Sequence, residues 1–553
     1  MNALIHRGML AVAMGLGVIL APRPLLGAEQ ITFSYSALRF SISVADLEQF
    51  AQTGQMPGTL RPFLQRLSED QRADLQRLLS TRLEIKGVAL SQLLYSSFGE
   101  STLAFLGERL QTEQRTNGAT ALRSAMIQAA QQPEGLSPIS LLQSFPNRTV
   151  YLNSKALQST LTLLRQRATL ARQLAASAHS RGGGQSSGQA ASLEMLSVAG
   201  PQGTEAIQIE VQDTARNRRI PVVLTMPASA TAAPLWIISP GFGDDRSAFQ
   251  SLTQHLVSHG IAVAIVEHPG SDRAWFEKLI SGQEQEVMDL QEWSHRPRDI
   301  QVFLDWLQGP SIPAPVARID PQQIGVLGYS IGGNTALTLA GARVDPNLGQ
   351  RGCAQPVTQR RMVDFALLLL CSGSRAPASS DDPWEEPPFD PRIRAVVALN
   401  TFGTQRFAPE GLASIQIPTL MITGSQDLVA PSLPESLCPF QFMTHPHQFL
   451  VMIEQGQHFF GNDFGEQGLF LVQPPLKQPD PALMSHYLNA LVLAFIQSTL
   501  PNPHRSAPPL TPENLASLSQ KPYPLRLVTP PALRALGDPL TQACASSLGN
   551  GHD

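Results

Sequence analysis

The stretch Gly328-Tyr329-Ser330-Ile331-Gly332-Gly333 sets a serine between glycines two residues before it and two residues after it. The apolar run Ile324-Gly325-Val326-Leu327 precedes it, and a small-residue segment of helical character begins at Asn334. In a strand, turn, helix context a serine so placed projects from a tight turn. Side chains two positions away would collide with backbone there, which makes Gly328 and Gly332 the elbow residues that leave the Ser330 Oγ exposed. A serine hydroxyl is a weak nucleophile at neutral pH and needs an adjacent base, itself oriented by an acid. Asp427 closes the polar turn after Thr419-Leu420-Met421-Ile422, and His458 follows the apolar run Phe449 to Ile453 through Glu454-Gln455-Gly456-Gln457. Ser330, His458 and Asp427 are therefore the candidate nucleophile, general base and orienting acid, with Asp427 fixing the useful imidazole tautomer. His445 and His447 fall before that run, at its wrong end. His268, at the end of the run Ile261 to Val266, reads as a structural or pocket-lining residue.

An acyl-transfer site of this type also needs two backbone N–H donors for the oxyanion. Ile331, directly after the serine, is one candidate. Phe242 is the other, in the turn Ser239-Pro240-Gly241-Phe242-Gly243 that follows the apolar run Leu235 to Ile238. Such chemistry requires no cofactor. No CxxC spacing occurs, and no metal site is expected.

The elements that must position these groups follow from pattern. Continuous apolar runs at 235–238, 261–266, 324–327, 396–399, 419–422 and 449–453 suit strands buried on both faces of a parallel sheet. Helical patterns at 247–259, 297–307 and 334–342 lie between them, giving β-α alternation with the candidate residues at the carboxyl ends of strands. Ile207, Ile209 and Val211, then Ile220 to Leu224, read as a β-hairpin ahead of the sheet. The expected fold class is α/β, a mostly parallel sheet flanked by helices, preceded by a separate all-α domain. Residues 29–178 are assigned to that helical domain, because they are rich in Leu, Ala, Gln and Arg and carry leucines at helical spacing. Ser43 with Asp46, and Ser68 with Gln71, look like helix N-caps. A Gly/Ser-rich linker at 179–192 separates it from a catalytic domain at 193–500, and residues 501–553 read as a proline-rich tail.

Composition narrows the function classes. Across 553 residues the formal net charge is −4 and charged residues make up 15%. With no long basic run there is no phosphate-tracking surface, so nucleic acid is not expected as a partner. Residues 1–28 read as an export signal: His6 and Arg7 precede an apolar stretch from Gly8 to Ala21 that is short for a bilayer span, with a retained anchor as the lesser alternative. The four cysteines of an exported chain can form disulfides. Cys353 and Cys371 are near enough in sequence to close a small loop; Cys438 and Cys544 are left open between a second bridge and free thiols.

These motifs resemble the α/β-hydrolase superfamily, in particular its platelet-activating-factor acetylhydrolase-like and dienelactone-hydrolase-like branch. Ser239-Pro240-Gly241-Phe242-Gly243 also resembles the oxyanion loop of bacterial polyester hydrolases and cutinases. Arg296-Pro297-Arg298-Asp299-Ile300 resembles a motif preceding the nucleophile strand in acetylhydrolases, where the resemblance implies structural roles. Dienelactone hydrolases use a cysteine where this chain has Ser330, so lactone specificity is not implied. Phe33-Ser34-Tyr35 and Ser41 to Leu47 resemble the N-terminal domain of unknown function fused to such hydrolases in exported bacterial proteins. The expectation is an exported serine hydrolase of carboxylic esters, with short- to medium-chain acyl esters or lipids as substrate and peripheral membrane contact as a further partner. Residues 271–294 and 342–391 are expected to cover the site. A peptidase or acyltransferase with the same three residues, and a catalytically silent binding protein, are the alternatives; oligomeric state is not specified by the sequence.

Overall fold

A computed structural model describes residues 27–35, 38–83, 85–182, 193–228, 232–310, 312–345, 365–372, 389–458, 479–499 and 508–547. Residues 1–26 of the expected export signal, the Gly/Ser-rich stretch 183–192 and Cys353 with the Cys371 side chain lie outside the described residues. The chain divides into two compact units. One comprises residues up to Gly87 together with Leu106–Ser154, and the other comprises Val88–Phe105 together with Lys155 onward.

The first unit corrects the all-α expectation. It holds a four-stranded sheet in the order β2-β1-β4-β3, formed by β1 (Gln30–Tyr35), β2 (Leu38–Ser43), β3 (Leu110–Gln111) and β4 (Thr149–Leu152). Strands β1 and β2 pair antiparallel with Phe33 opposite Phe40, whose rings stack at 5.6 Å and meet the Phe63 ring. The cause is a local alternation, Ile31, Phe33 and Tyr35 against Thr32 and Ser34, that specifies a strand within a segment whose average composition favours helix. Helix α1 (Val44–Thr53) buries Val44, Leu47 and Phe50 along one face. Ser43 stands at its N-cap without a side-chain bond; Asp46 instead accepts from the Thr59 amide and hydroxyl. Helix α2 (Glu69–Ser80) begins at Ser68 with a complete capping box to Gln71.

The second unit opens with α3 (Gly87–Tyr95) and α4 (Ser97–Arg109), most of whose residues cluster here despite their place in the N-terminal sequence. Helix α5 (Ser154–Gly182) follows, and then a nine-stranded sheet in the order β13-β12-β11-β10-β9-β7-β8-β6-β5. Its strands are β5 (Thr204–Asp213), β6 (Arg218–Pro227), β7 (Ala233–Ser239), β8 (Ala262–Val266), β9 (Ile319–Tyr329), β10 (Ile393–Leu399), β11 (Thr419–Gly424), β12 (Gln448–Ile453) and β13 (Leu525–Val528). The six from β8 through β12 run parallel, while β5, β6 and β13 join antiparallel. Alternate residues feed two cores. Ile237 and Val326 enter one with Leu337, and Trp236, Ile238 and Leu327 enter the other with Phe495. This is why the central strands read as unbroken apolar runs. Covering helices used below are α6 (Gln250–Ser258), α7 (Arg273–Ser281), α8 (Glu292–Leu307), α9 (Ile331–Leu339) and α10 (Phe365–Ser372). Among the described residues no helix is long and apolar enough to cross a membrane.

The tail expectation is also corrected. Residues 508–547 carry three helices and β13, which pairs with β12 through Leu450 opposite Val528 to Ile453 opposite Leu525. Pro512 and Pro530 are first residues of helices whose N-caps, Thr511 and Thr529, accept from Asn514 and Ala532 amides. Proline is favoured at that position because its missing N–H would have no intrahelical acceptor anyway. Cys438 and Cys544, left open by the sequence, form a disulfide across 106 residues. Replacing Cys544 by Ser should lower stability by about 2–4 kcal/mol, given the length of the closed loop. Thermal melts of the variant, and of the wild type with and without reductant, check this; an unchanged midpoint would show that packing alone holds the C-terminal helix.

Candidate active site

The carboxyl ends of β7, β9, β10, β11 and β12 converge on Ser330. Leaving β9, the chain turns into α9 through Ser330 at φ 55° and ψ −119°, a conformation costly for a residue with a Cβ. The turn is held from both sides. Ser330 N–H donates to the Leu399 carbonyl at 2.9 Å, and the Ser330 carbonyl accepts from Phe402 N–H at 3.1 Å. The flanking glycines are sterically required. A Cβ on Gly328 would stand 1.8 Å from the Gly332 carbonyl oxygen, and one on Gly332 would stand 2.0 Å from the Ser239 carbonyl oxygen.

The structure brings the three sequence candidates together. His458 Nδ1 lies 2.7 Å from Asp427 Oδ2, and His458 Nε2 lies 3.0 Å from Ser330 Oγ. A carboxylate only accepts, so Nδ1 carries the hydrogen in this pair and Nε2 is left to take the Ser330 proton. Asp427 is fixed in turn, its Oδ1 accepting from Val429 and Ala430 amides at 2.8 and 2.7 Å. All three side chains are buried. Phe242 and Ile331 line the cleft beside Ser330. Ile331 is the first residue of α9, where the amide has no acceptor within the helix. The arrangement can move a proton from the serine to the imidazole and hold an oxyanion at the start of a helix.

Further residues escaped sequence reasoning. Asn400, buried at the end of β10, donates to the Gln457 and His458 carbonyls at 2.9 and 2.6 Å and accepts from Gly424 N–H at 3.0 Å. The Tyr329 hydroxyl donates to the same His458 carbonyl at 3.1 Å, so the histidine backbone is gripped from β9 and β10 together. The available signal was a single polar residue closing an apolar strand. Asp244 lines the cleft and accepts from Gly241 N–H at 3.2 Å, bracing the turn that carries Phe242.

His268 and the Arg296–Asp299 pair lie behind that turn. Ser239 Oγ meets His268 Nε2 at 3.0 Å, His268 Nδ1 meets Asp299 at 3.0 Å, and Arg218 bonds both Asp299 and Glu292. The Arg296 guanidinium donates to the Pro240 carbonyl and to Ser271 Oγ. Burial and the Arg296 charge push His268 down to about 4, which keeps it neutral at physiological pH. Burial pushes the Asp299 carboxyl up, but the His268 hydrogen bond and the neighbouring arginines outweigh it and hold the group below its ordinary value. The group is therefore a buried charged frame for the Ser239–Phe242 turn.

The cleft encloses about 680 Å³ counting its open mouth. Val287 and Met288 line it from the stretch 271–294, and Phe365 and Leu369 from the insert 342–391, whose residues 346–364 and 373–388 lie outside the described residues. Phe98 of α4 also lines it, from a part of the sequence in which no site was expected. Among the described residues no group of His, Cys, Asp and Glu is arranged to hold a metal ion.

The sheet order, the serine turn after β9, and the acid and base after β11 and β12 decide the fold. It is an α/β-hydrolase fold. Residues 27–153 match the family described as an alpha/beta hydrolase of unknown function (DUF1400). Ser330, Asp427 and His458 all lie beyond the matched segment. No curated protein matches the chain.

Burial pushes the Asp244 carboxyl up to about 7, against the pull of His458, the Gly241 amide and Arg296; Asp245 adds to the rise. The native state thus retains a proton that the unfolded chain releases near the ordinary value of 3.8, so stability falls as pH rises between the two. Asp244→Asn keeps an acceptor for Gly241 and removes the titration. Its melting temperature should exceed that of the wild type above about pH 7, with the gain fading toward about pH 4. Thermal melts across that range check this, and a gain independent of pH would contradict it.

Proposed function

We propose that the protein is an exported serine hydrolase of carboxylic esters. Ser330 Oγ attacks the acyl carbon while His458 Nε2 takes its proton, and Asp427 stabilises the imidazolium that forms. The Phe242 and Ile331 amides hold the oxyanion. Collapse of the tetrahedral intermediate breaks the ester C–O bond, His458 protonates the departing alcohol, and Ser330 remains acylated. His458 then removes a proton from water, which attacks the acyl carbon; the second tetrahedral intermediate breaks the bond to Ser330 Oγ, which takes that proton back from His458 as the acid departs.

The observation that carries this reading is the continuous hydrogen-bonded line from Asp427 through His458 to Ser330, at 2.7 and 3.0 Å, opening on an apolar cleft. The leader-like sequence at 1–28 and the Cys438–Cys544 bridge support placement in an oxidising compartment outside the cytoplasm.

A fluorophosphonate probe should label the folded wild type and fail to label Ser330→Ala. Absence of labelling on folded wild-type protein would overturn the reading. On an ester that the wild type turns over, Asp427→Asn should retain the fold and lose roughly 10⁴-fold in kcat, because the histidine loses its oriented tautomer.

A further inference from the structure

Among the described residues, the cleft has few hydrogen-bonding side chains beyond the reacting groups. Ser330, His458 and Asp244 supply its polar functions, and the Tyr329 hydroxyl is already committed to the His458 carbonyl. Away from the turns that carry Phe242, Ile331 and Val429, the described wall is formed by Phe98, Val287, Met288, Phe365, Leu369 and Phe402. A hydroxyl or charge on a substrate chain would be left unpaired against such a wall and pay its full desolvation penalty. The chain it suits is therefore hydrocarbon.

One part of this wall comes from an unexpected place. The Phe98 ring packs against Phe365 with centroids 6.3 Å apart, joining α4 to α10, and both residues line the cleft. Its position is fixed by a tight turn between α3 and α4. Ser96 is buried, donates from Oγ to the Leu93 carbonyl at 2.7 Å and accepts from Gly99 N–H at 3.0 Å. Gly99 permits the closeness, since a Cβ there would stand 2.0 Å from the Leu93 carbonyl oxygen. Leu93 belongs to the same apolar cluster as Ile331, Trp293 and Val429, the residues surrounding the nucleophile turn and the Asp427 turn. Gly282, at the end of α7, packs against Val88, Ala89 and Gln92 from the other side. The α3–α4 turn is thus a wall set by packing on the catalytic unit, with Phe98 directed into the cleft.

Resting on the serine-hydrolase reading above, we propose that Phe98 is a specificity-determining residue, which limits the length of the hydrocarbon acyl chain by closing the cleft against Phe365. The acyl group is assigned to this cleft because it stays bonded to Ser330 through both half-reactions, whereas the alcohol leaves after the first.

The test uses the full-length protein and p-nitrophenyl esters of straight-chain acids from acetate to dodecanoate, so that the leaving group is constant. In Phe98→Ala the ratio of kcat/KM on decanoate to that on butyrate should rise about tenfold or more, and in Phe98→Trp it should fall by a similar factor. Labelling of Ser330 by a small ethyl fluorophosphonate should be the same in all three proteins. If truncation to alanine disturbs the α4 turn and labelling drops, Phe98→Leu carries the test, with a smaller shift in the same direction. Unchanged acyl profiles with labelling intact would overturn the role of Phe98 while leaving the serine-hydrolase reading standing. A shift seen only when alcohol length varies, in a series of acetates, would overturn the acyl assignment. Failure of the wild type itself to label would remove the reading on which the inference rests.

Discussion

The backbone of Ser330 can keep its left-handed conformation only because two neighbours lack a Cβ and the ends of three strands close around it. Gly332 lies against the Ser239 carbonyl at the end of β7, Gly328 lies against Gly332, and β10 contributes the Leu399 carbonyl as acceptor. Strain of this kind persists where the surroundings over-determine it. The same contact that forces glycine at 332 brings the Ser239–Phe242 turn beside the serine. Ser330 and the turn carrying Phe242 are thus set by one steric arrangement. The charged frame of His268, Asp299, Arg296, Glu292 and Arg218 acts on the far side of that turn, holding the Ser239 hydroxyl and the Pro240 carbonyl.

The histidine is held by a different means. Its ring is oriented by Asp427, but its backbone is located by Asn400 and Tyr329, which lie on the two strands flanking the serine turn. A side chain reaching across more than fifty residues of sequence ties the His458 loop to the frame that carries Ser330. Displacement of either strand end would therefore move base and nucleophile together.

Much of the second unit was legible because strands buried on both faces must be apolar throughout, and the runs that became β7 through β12 stand out against polar turns. The glycine spacing around Ser330 was legible for an equally local reason, since the steric demand falls two residues either side. The hairpin of β1 and β2 was obscured because its alternation covers few residues and was averaged with the helical composition that follows. Proline in the last fifty residues was read as loop, whereas at Pro512 and Pro530 it starts helices. Nearness in sequence directed attention to Cys353 and Cys371, while the bridge between Cys438 and Cys544 depends on folding that brings distant segments together. Asp244 and Phe98 had no local signature, and Asn400 only that of a polar residue closing an apolar strand, because each acts on a group set beside it only by tertiary structure.

Strand β13 does more than close the sheet. Arg526 pairs with Glu454 at 2.6 Å, the Glu454 amide donates to the Pro524 carbonyl, and the Gln455 side chain donates to the Pro522 carbonyl. These contacts fall on the loop that ends in His458. Because a ribosome makes the chain from its N-terminus, the segment bracing that loop emerges after it. Serine turn, oxyanion turn and acid can all be synthesised before the histidine loop has its support. A nascent chain stopped before β13 would carry an unbraced His458, so the order of synthesis itself delays completion of the site until β13 has been made.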